Sequence, residues 1–317
     1  MSDARPAANL ERLLRWYPAV WRARYGAELV ALMEDTYGND PVPARSRFGI
    51  ARAGMTERLV EMGLGTGNQG PAERLRGGAL LVLCAWGFFV IGGSIFAKAA
   101  EGWALATSHA DRALPGAGYD SVVVAAAVGA VVIAVAAVVT LPAFLRFLGA
   151  GGWSDVRRPV RVAVGVSAVT MLTVASMSLW AHHLDYSQRN GGSLPYEVLA
   201  LVVGILAMVT IAAWTVATLR TVRLLDLSAP VLRLEGRLAL LLALVMLVIV
   251  GGTSVWWAAE AADAPRFLSG STSGPVGSAL PPNLLIAGAF MVAGVCVALR
   301  GALRVGGALR SRSSAAG

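Results

Sequence analysis

Leu238–Trp257, with the sequence LALLLALVMLVIVGGTSVWW, is a run of twenty residues that contains no charge. As an α-helix it would extend about 30 Å, which is the thickness of the hydrocarbon core of a bilayer. Arg233 and Arg237 precede the run, and two tryptophans end it. Arginine is enriched on the cytoplasmic side of membrane helices, and indole rings settle at the headgroup level. The run therefore predicts a transmembrane helix that starts at the cytoplasmic side.

Five further apolar runs repeat this design, and the composition agrees with them. The chain is 56% hydrophobic and 15% charged, whereas soluble domains are roughly one quarter charged. The sequence therefore predicts an all-α protein, a polytopic bundle of six transmembrane helices preceded by a small cytosolic helical unit. The other five predicted spans are Gly77–Ala97, Ser121–Leu145, Val162–Ala181, Val198–Leu219 and Ala279–Leu299.

The positive charges predict the orientation of these spans. Of the 27 Lys and Arg residues, 23 lie in the segments 1–76, 146–161, 220–237 and 300–317. Positive residues stay on the cytoplasmic side, so we expect both termini to be cytoplasmic in a bacterial plasma membrane. The same distribution indicates that the arginines face anionic lipid rather than nucleic acid, so no nucleic-acid partner is expected.

The predicted domains follow from the same pattern. Residues 1–62 form a cytosolic prefix of three short helices, 63–76 a Gly-rich linker, 77–304 the six-span domain and 305–317 a basic tail. Gly38 is a predicted helix stop within the prefix. The linker contains a G-x-G-x-x-G pattern at 65–70, but a dinucleotide site needs a strand before it and a helix after it. We therefore predict a flexible linker and no cofactor.

The second helix of the prefix carries an aromatic face. Trp21, Tyr25 and Leu29, followed by Leu32 and Met33, line one side at helical spacing. We predict that this face is a partner-binding surface, and two kinds of cover are open. One is the prefix's own core, formed by Leu13, Tyr17, Met55 and Leu59. The other is an external surface, either a cytosolic protein or the bilayer.

The same segment resembles a known group of proteins. The pattern Tyr17-Pro18-x-x-Trp21-Arg22-x-Arg24-Tyr25-Gly26-x-Glu28 is similar to the prefix of actinobacterial multi-span membrane proteins of unassigned function. A related pattern opens the cytosolic prefix of some bacterial ABC-type permeases. The resemblance implies a cytosolic helical prefix on a membrane protein, often encoded beside small transcription regulators, and it implies no catalytic residues.

The chain offers few residues for chemistry. His109, His182, His183 and Asp185 all lie in predicted outer loops and are the only candidates for a metal site. Their spacing matches no closed ligand pattern, so exposed interfacial side chains are the favoured interpretation. The predicted spans carry no ionisable residue at depth, which argues against an ion-coupled pump. No nucleophile with a base can be assembled either, so the sequence predicts a protein that is not an enzyme.

Hydroxyl residues concentrate in the third predicted span, at Ser167, Thr170, Thr173, Ser176 and Ser178. They predict hydrogen bonds between helices, with the lining of a polar cavity as the alternative. In the second span, Ala125 and Gly129 lie on one small-residue stripe, and Pro142 is expected to bend or end the helix.

Two functions remain open at this stage. The favoured one is a regulatory or scaffolding membrane protein whose prefix binds a cytosolic partner. The alternative is a permease-like transport component that relies on a separate energy source, since the chain has no P-loop of its own. Apart from the lipid bilayer, the expected partners are a cytosolic protein and, as a further option, other copies of the chain.

Overall fold

The structure is a computed structural model of the chain, and it describes residues 12–38, 40–61, 70–185, 188, 193–269 and 281–313. Throughout these residues the regular structure is helical, with no strand. The chain forms two compact units, Met1–Gly77 and Gly78–Gly317. Most of the G-x-G-x-x-G pattern, residues 65–69 of 65–70, lies outside the described residues.

The N-terminal unit contains α1 (Ala19–Tyr37) and α2 (Ala44–Glu61). Pro18 directly precedes α1, where its fixed φ angle suits the start of a helix. The helix ends because Gly38 adopts a φ of +54° and donates its N–H to the carbonyl oxygen of Glu34 at 2.7 Å. A left-handed φ of this kind favours glycine. The predicted stop at Gly38 is confirmed.

Helix α2 contacts the turn before α1 and the last residue of α1. At one end, a Cβ atom on Gly54 would lie 2.8 Å from the backbone carbon of Trp16, so only glycine permits the observed approach. Arg58 Nε donates to the carbonyl oxygen of Trp16 at 2.7 Å. At the other end, Tyr37 Oη donates to Ser46 Oγ at 3.0 Å. These contacts fix which side of α1 faces α2.

Within the described part of the chain, six helices are long and apolar enough to cross a membrane. The chain is thus an integral membrane protein, and the predicted all-α, six-span fold is confirmed. In chain order, the helices of this part are α3 (Pro71–Ala99), α4 (Trp103–Ala106), α5 (Ala113–Gly149), α6 (Trp153–Ala181), α7 (Leu194–Leu224), α8 (Ala229–Asp263), α9 (Pro265–Leu268) and α10 (Pro281–Ser313). The short helices α4 and α9 lie in connections, and the other six are the spans.

The helices extend beyond the apolar runs that predicted them. Helix α3 begins at Pro71, so the second half of the predicted linker is helical, and α10 continues to Ser313 through the predicted tail. Helix α5 passes Pro142 and reaches Gly149. Of the two outcomes expected at Pro142, an end of the helix is therefore wrong, and a bend stays a prediction. Hydropathy marks where a helix meets lipid, whereas backbone hydrogen bonding can continue into the polar flanks.

Four of the six spans share one core, and glycine lets them approach closely. Where α5 crosses α8, a Cβ atom on Gly118 would lie 2.9 Å from the carbonyl oxygen of Gly252 and 2.8 Å from the backbone nitrogen of Trp256. Where α3 crosses α10, a Cβ on Gly301 would lie 2.7 Å from the carbonyl oxygen of Gly78. Small residues at such crossings allow the close backbone packing that stabilises helices in lipid.

Helices α6 and α7 form a second pair outside that core. In the apolar stretch of α8, 44% of the residues are buried, compared with 6% in α6 and none in α7. The side chains of the shared core come from α3, α5, α8, α10 and the segment around Phe267. Helices α6 and α7 therefore pack mainly on each other.

Candidate functional site

The predicted partner-binding residues Trp21, Tyr25 and Leu29 line a groove of about 330 Å³ on α1, together with Glu28 and Leu32. Leu32 is 62% exposed and Tyr25 36% exposed, although both are large apolar side chains. Trp21 and Leu29 are half-buried. The sequence analysis found the apolar members of this site, but Glu28 was missed.

The groove follows one of two apolar seams that run along α1. We call Trp21, Tyr25, Glu28 and Leu32 the open seam, because its residues are exposed or half-buried. Their successive spacings of four, three and four residues keep them on one side of the helix. The spacing also matches the contact positions of a helix that pairs with another helix.

The other seam of α1 belongs to the core of the N-terminal unit. We call Gly26, Val30, Met33 and Tyr37 the core seam, in which Gly26 and Met33 are buried. It repeats the same spacing five residues later, which places it about 140° around the helix from the open seam. Met33 was predicted to share a face with Trp21 and Tyr25, and that assignment is wrong because Met33 lies on the core seam.

Among the described residues of the unit, the contacts that cover the open seam lie at its first member. The Tyr17 ring stacks on the Trp21 ring with centroids 4.0 Å apart, and Tyr17 itself is 6% exposed. Met55, another residue of the predicted cover, is 46% exposed. The side chain of Leu59 lies outside the described residues. The sequence left two possibilities for this face, burial in the unit's own core or contact with an external surface. The described contacts show burial by the unit's own residues for Trp21 alone.

Tyr17 anchors the start of this site. Burial raises the pKa of its phenol above the ordinary value of 10.0, and the nearby Glu57 carboxylate raises the pKa further. A raised pKa means that the folded unit favours the neutral phenol over the phenolate. The phenol that stacks on Trp21 is therefore held in its neutral form by burial and by the neighbouring carboxylate.

Charge is unevenly distributed along α1. The first half carries Arg22 and Arg24 and no acid, and the second half carries Glu28, Glu34 and Asp35 and no base. The guanidinium carbon of Arg24 lies 5.0 Å from the centroid of the Tyr25 ring, so this cation sits at the edge of the open seam. Such contacts between a cation and an aromatic ring are attractive. The site is thus aromatic and basic at one end and acidic further along.

The candidate metal residues take other roles. His109 is exposed, and Arg112 Nη1 donates to its Nδ1 atom at 3.1 Å. His182 and His183 are also exposed, and Asp185 Oδ1 accepts the backbone N–H of Gln188 at 2.9 Å. Within the described residues, no three His, Cys, Asp or Glu side chains lie close enough together to hold a metal ion.

A buried carboxyl group that the sequence analysis missed lies near the end of α8. Glu260 is fully buried, and Thr107 Oγ1 lies 2.8 Å and 3.0 Å from its two carboxyl oxygens. Arg112 Nε donates to the carbonyl oxygen of Thr107 at 3.0 Å. The connection between α3 and α5 is thereby tied to α8. No local pattern in the sequence signals this burial, because the partner Thr107 is 153 residues away.

The hydroxyl residues of α6 bond mainly to neighbouring backbone and to α7. Thr170 Oγ1 lies 2.8 Å from Thr210 Oγ1, and Trp214 Nε1 donates to Ser167 Oγ at 2.9 Å. Thr173 and Ser176 donate to carbonyl oxygens one turn earlier in their own helix. For Ser167 and Thr170, the interhelical hydrogen bonds that we preferred over a polar cavity are present.

Comparison with known proteins gives no relative from which the role of this site could be inferred, so the site is interpreted from its geometry. No family model matches the sequence, and neither the curated proteins nor the solved structures give a match. The fold and composition define an integral membrane protein with six spans and a separate N-terminal helical unit. Among the described residues outside the spans, the open seam of α1 is an apolar groove that keeps Tyr25 36% and Leu32 62% exposed.

Proposed function

We propose that this integral membrane protein is a regulatory or scaffolding protein that binds another protein through the open seam of α1. The observation that carries the proposal is the exposure of Tyr25 and Leu32 on a groove that also contains Trp21. The proposed function requires no catalysis by the chain itself.

The energetic argument concerns large apolar side chains in contact with water. Covering one such side chain fully contributes about 1.5–3 kcal/mol. Aromatic residues that cluster in a pocket dominate the binding energy of many protein interfaces. Trp21 and Tyr25 have ring centroids 5.4 Å apart and present a joined aromatic surface next to Leu29. A partner that fills this groove would gain most of its binding energy there.

We further propose that the N-terminal unit lies in the bacterial cytoplasm and that the spans lie in the plasma membrane. The support is the alternation of arginine between successive connections of the spans. Six crossings place both termini on the same side. The resemblance to the prefixes of actinobacterial membrane proteins agrees with this orientation and is part of the proposal.

Photocross-linking in intact cells tests the interaction. A benzophenone amino acid at Leu32 is expected to give covalent adducts with protein. The matched control is Ala27, which is also exposed on α1 but lies about 130° around the helix from the open seam. Equal protein adducts at both positions, or adducts with lipid alone at Leu32, would contradict a protein-binding seam. Capture of an ATPase subunit would support the alternative of a transport component.

Cysteine labelling tests the orientation separately. A cysteine at Ser108 is expected to react with an impermeant thiol reagent added outside the cell. Cysteines at Ser154 and Ser228 are expected to react only after the membrane is opened, because they lie in arginine-rich connections. Labelling of Ser228 from outside would overturn the proposed topology.

A further inference from the structure

We infer that the open seam of α1 pairs with the same seam of a second copy of this chain, with the two helices antiparallel. The inference rests on the proposed function, since it names the partner for the same surface. Three features of α1 carry it: the heptad-like spacing, the charge distribution and the position of one polar residue within the seam.

Apart from the i, i+4 spacing of Arg24 with Glu28 and the contact of Arg24 with the Tyr25 ring, the charge distribution is unfavourable within a single α1 helix. The partial charge of a helix is positive at its N-terminus, where acidic residues are stabilising, and negative at its C-terminus, where basic residues are stabilising. Helix α1 has no acid in its first turn and no base in its last turn. Its arginines precede Glu28, and its acids follow, so the arrangement opposes the helix dipole.

A second, antiparallel copy turns this arrangement into a favourable one. The basic half of each helix then lies beside the acidic half of the other, and the two helix dipoles oppose each other in direction. A parallel pair would instead place like charges together. The charge pattern of α1 is therefore complementary to itself in one orientation only.

The seam residues also match when the helices are antiparallel. With the two-fold axis midway between Tyr25 and Glu28, Trp21 faces Leu32 of the partner subunit, and Tyr25 faces Glu28 of the partner subunit. Each contact occurs twice, as two-fold symmetry requires. Arg24 already lies over the Tyr25 ring, so its guanidinium group is beside the position that the facing carboxylate would take.

Glu28 gives the pairing its register. A single polar residue at a contact position of paired helices selects one alignment, because other alignments leave its charge without a partner. Shifting the helices by one turn would move Glu28 away from the partner's Arg24 and leave its charge unpaired. The seam extends from Trp21 to Leu32, about three turns or 16 Å of helix.

Anchoring in one bilayer makes such a short seam sufficient. Three turns of helix bury less surface than the roughly 800 Å² per partner that is usual in stable soluble complexes. Two copies that are each anchored in the same bilayer by six spans can move only within the membrane plane. This confinement raises the effective concentration of one α1 helix near another, as a covalent linker would. Pairing is therefore expected in the membrane-embedded full chain.

A charge exchange in the full-length protein tests the inference. We would measure the dimer fraction by fluorescence transfer between labelled copies in proteoliposomes at a fixed protein density. Arg24→Glu and Glu28→Arg, each alone, should lower apparent affinity about ten-fold or more, because each places like charges opposite each other. The double variant should restore affinity to about the wild-type level, because the pair is re-formed with its signs exchanged.

Glu34→Arg is the control, since it makes the same charge change on α1 away from the open seam and should lower the dimer fraction far less than Glu28→Arg does. Mixing the two single variants should also restore pairing, because each charge then meets its opposite on the other copy while like charges remain within each helix, and this excludes misfolding of the single variants as the cause of their loss. A double variant that stays dissociated, or single variants that dimerise like the wild type, would overturn the antiparallel pairing.

The same experiment separates this inference from the proposed function. A wild-type chain that remains monomeric at all densities would overturn pairing between copies. If the benzophenone probe at Leu32 still captured a different protein, the seam would keep its function with another partner. Absence of both pairing and protein capture would overturn both proposals.

Discussion

The crossing of α5 with α8 and the open seam of α1 use their residues in opposite ways. At the crossing, Gly118 and Gly252 remove side chains so that two backbones meet, and both glycines are buried. On the open seam, Tyr25 and Leu32 keep large apolar side chains at the surface. Lipid gives apolar side chains no reason to associate, whereas water does. The crossing is thus complete within one chain, whereas we propose that the open seam is completed by a partner.

The largest expected effect concerns the crossing. Gly252→Leu should reduce the stability of the detergent-solubilised protein by about 3 kcal/mol or more, since overpacking costs about 1–3 kcal/mol even where side chains can move. Here the obstruction includes backbone, because a Cβ on Gly252 would lie 2.8 Å from the carbonyl oxygen of Gly118. Thermal unfolding followed by size-exclusion chromatography measures the change.

The neighbouring glycine supplies the control. A Cβ on Gly251 meets nothing within 4 Å, so Gly251→Leu should leave thermal stability close to that of the wild type. Equal loss from the two substitutions would mean that the α5–α8 crossing is not the tight contact described above.

A smaller effect is expected further along α5. A Cβ on Gly129 would clash with the indole ring of Trp86, whereas Val131 is 62% exposed. Gly129→Leu should therefore lower stability by about 1–3 kcal/mol, and Val131→Leu should have little effect. The loss is smaller than at the crossing because the Trp86 side chain can adjust. If both variants melted alike, the Gly129 face of α5 would be turned to lipid.

Removing the tie between Thr107 and Glu260 should loosen one connection without unfolding the bundle. Thr107→Val leaves the buried carboxyl group without its hydroxyl partner, which costs about 1–3 kcal/mol. We expect faster hydrogen exchange in residues 103–112 and unchanged exchange in α10. Ser108→Ala is the control, because Ser108 is exposed and bonds only to Asp111 in the described contacts. Unchanged exchange in Thr107→Val would show that the tie does not hold the connection.

The smallest effect depends on pH. The raised pKa of Tyr17 contributes stability below pH 10, and that contribution is lost as the pH rises through the folded-state pKa. Tyr17→Phe cannot ionise, so its N-terminal unit should lose less stability than the wild type at strongly alkaline pH. Near-ultraviolet circular dichroism measures the loss, with the exposed Tyr25 changed to Phe as a control. Identical alkaline transitions in all three proteins would contradict burial of the Tyr17 phenol.

The spans could be predicted from the sequence because lipid imposes a simple rule on length and polarity. A charge-free run such as Leu238–Trp257 fits no other environment as well. The helix ends were predicted less well, since Pro71–Arg76 is polar yet continues the helix of the span. The polar flanks stay helical because their backbone hydrogen bonds continue, and a hydropathy pattern carries no information about those bonds.

The candidate site was predicted only in part, and tertiary packing explains the remainder. Periodicity placed Trp21, Tyr25 and Leu29 together, but it could not show which side of α1 would face α2. That choice depends on contacts such as Tyr37 with Ser46 and is why Met33 was assigned to the wrong side. Burial of Glu260 depends on Thr107, 153 residues away in sequence. Such long-range pairs leave no local pattern.

The most direct test of the account compares two adjacent residues, Leu32 on the open seam and Met33 on the core seam. Both would be changed to Ala in the full chain. The stability of α1 would be measured by hydrogen exchange at a protein density too low for association, and the dimer fraction by fluorescence transfer at high density.

Met33→Ala should destabilise α1 by about 2–5 kcal/mol, because it removes a side chain that is only 6% exposed and leaves a cavity in its place. Leu32→Ala should change the stability of α1 by less than about 0.5 kcal/mol, because its side chain is exposed, and it should strongly reduce the dimer fraction. The account is contradicted if Leu32→Ala destabilises α1 as much as Met33→Ala does, or if Leu32→Ala leaves association intact.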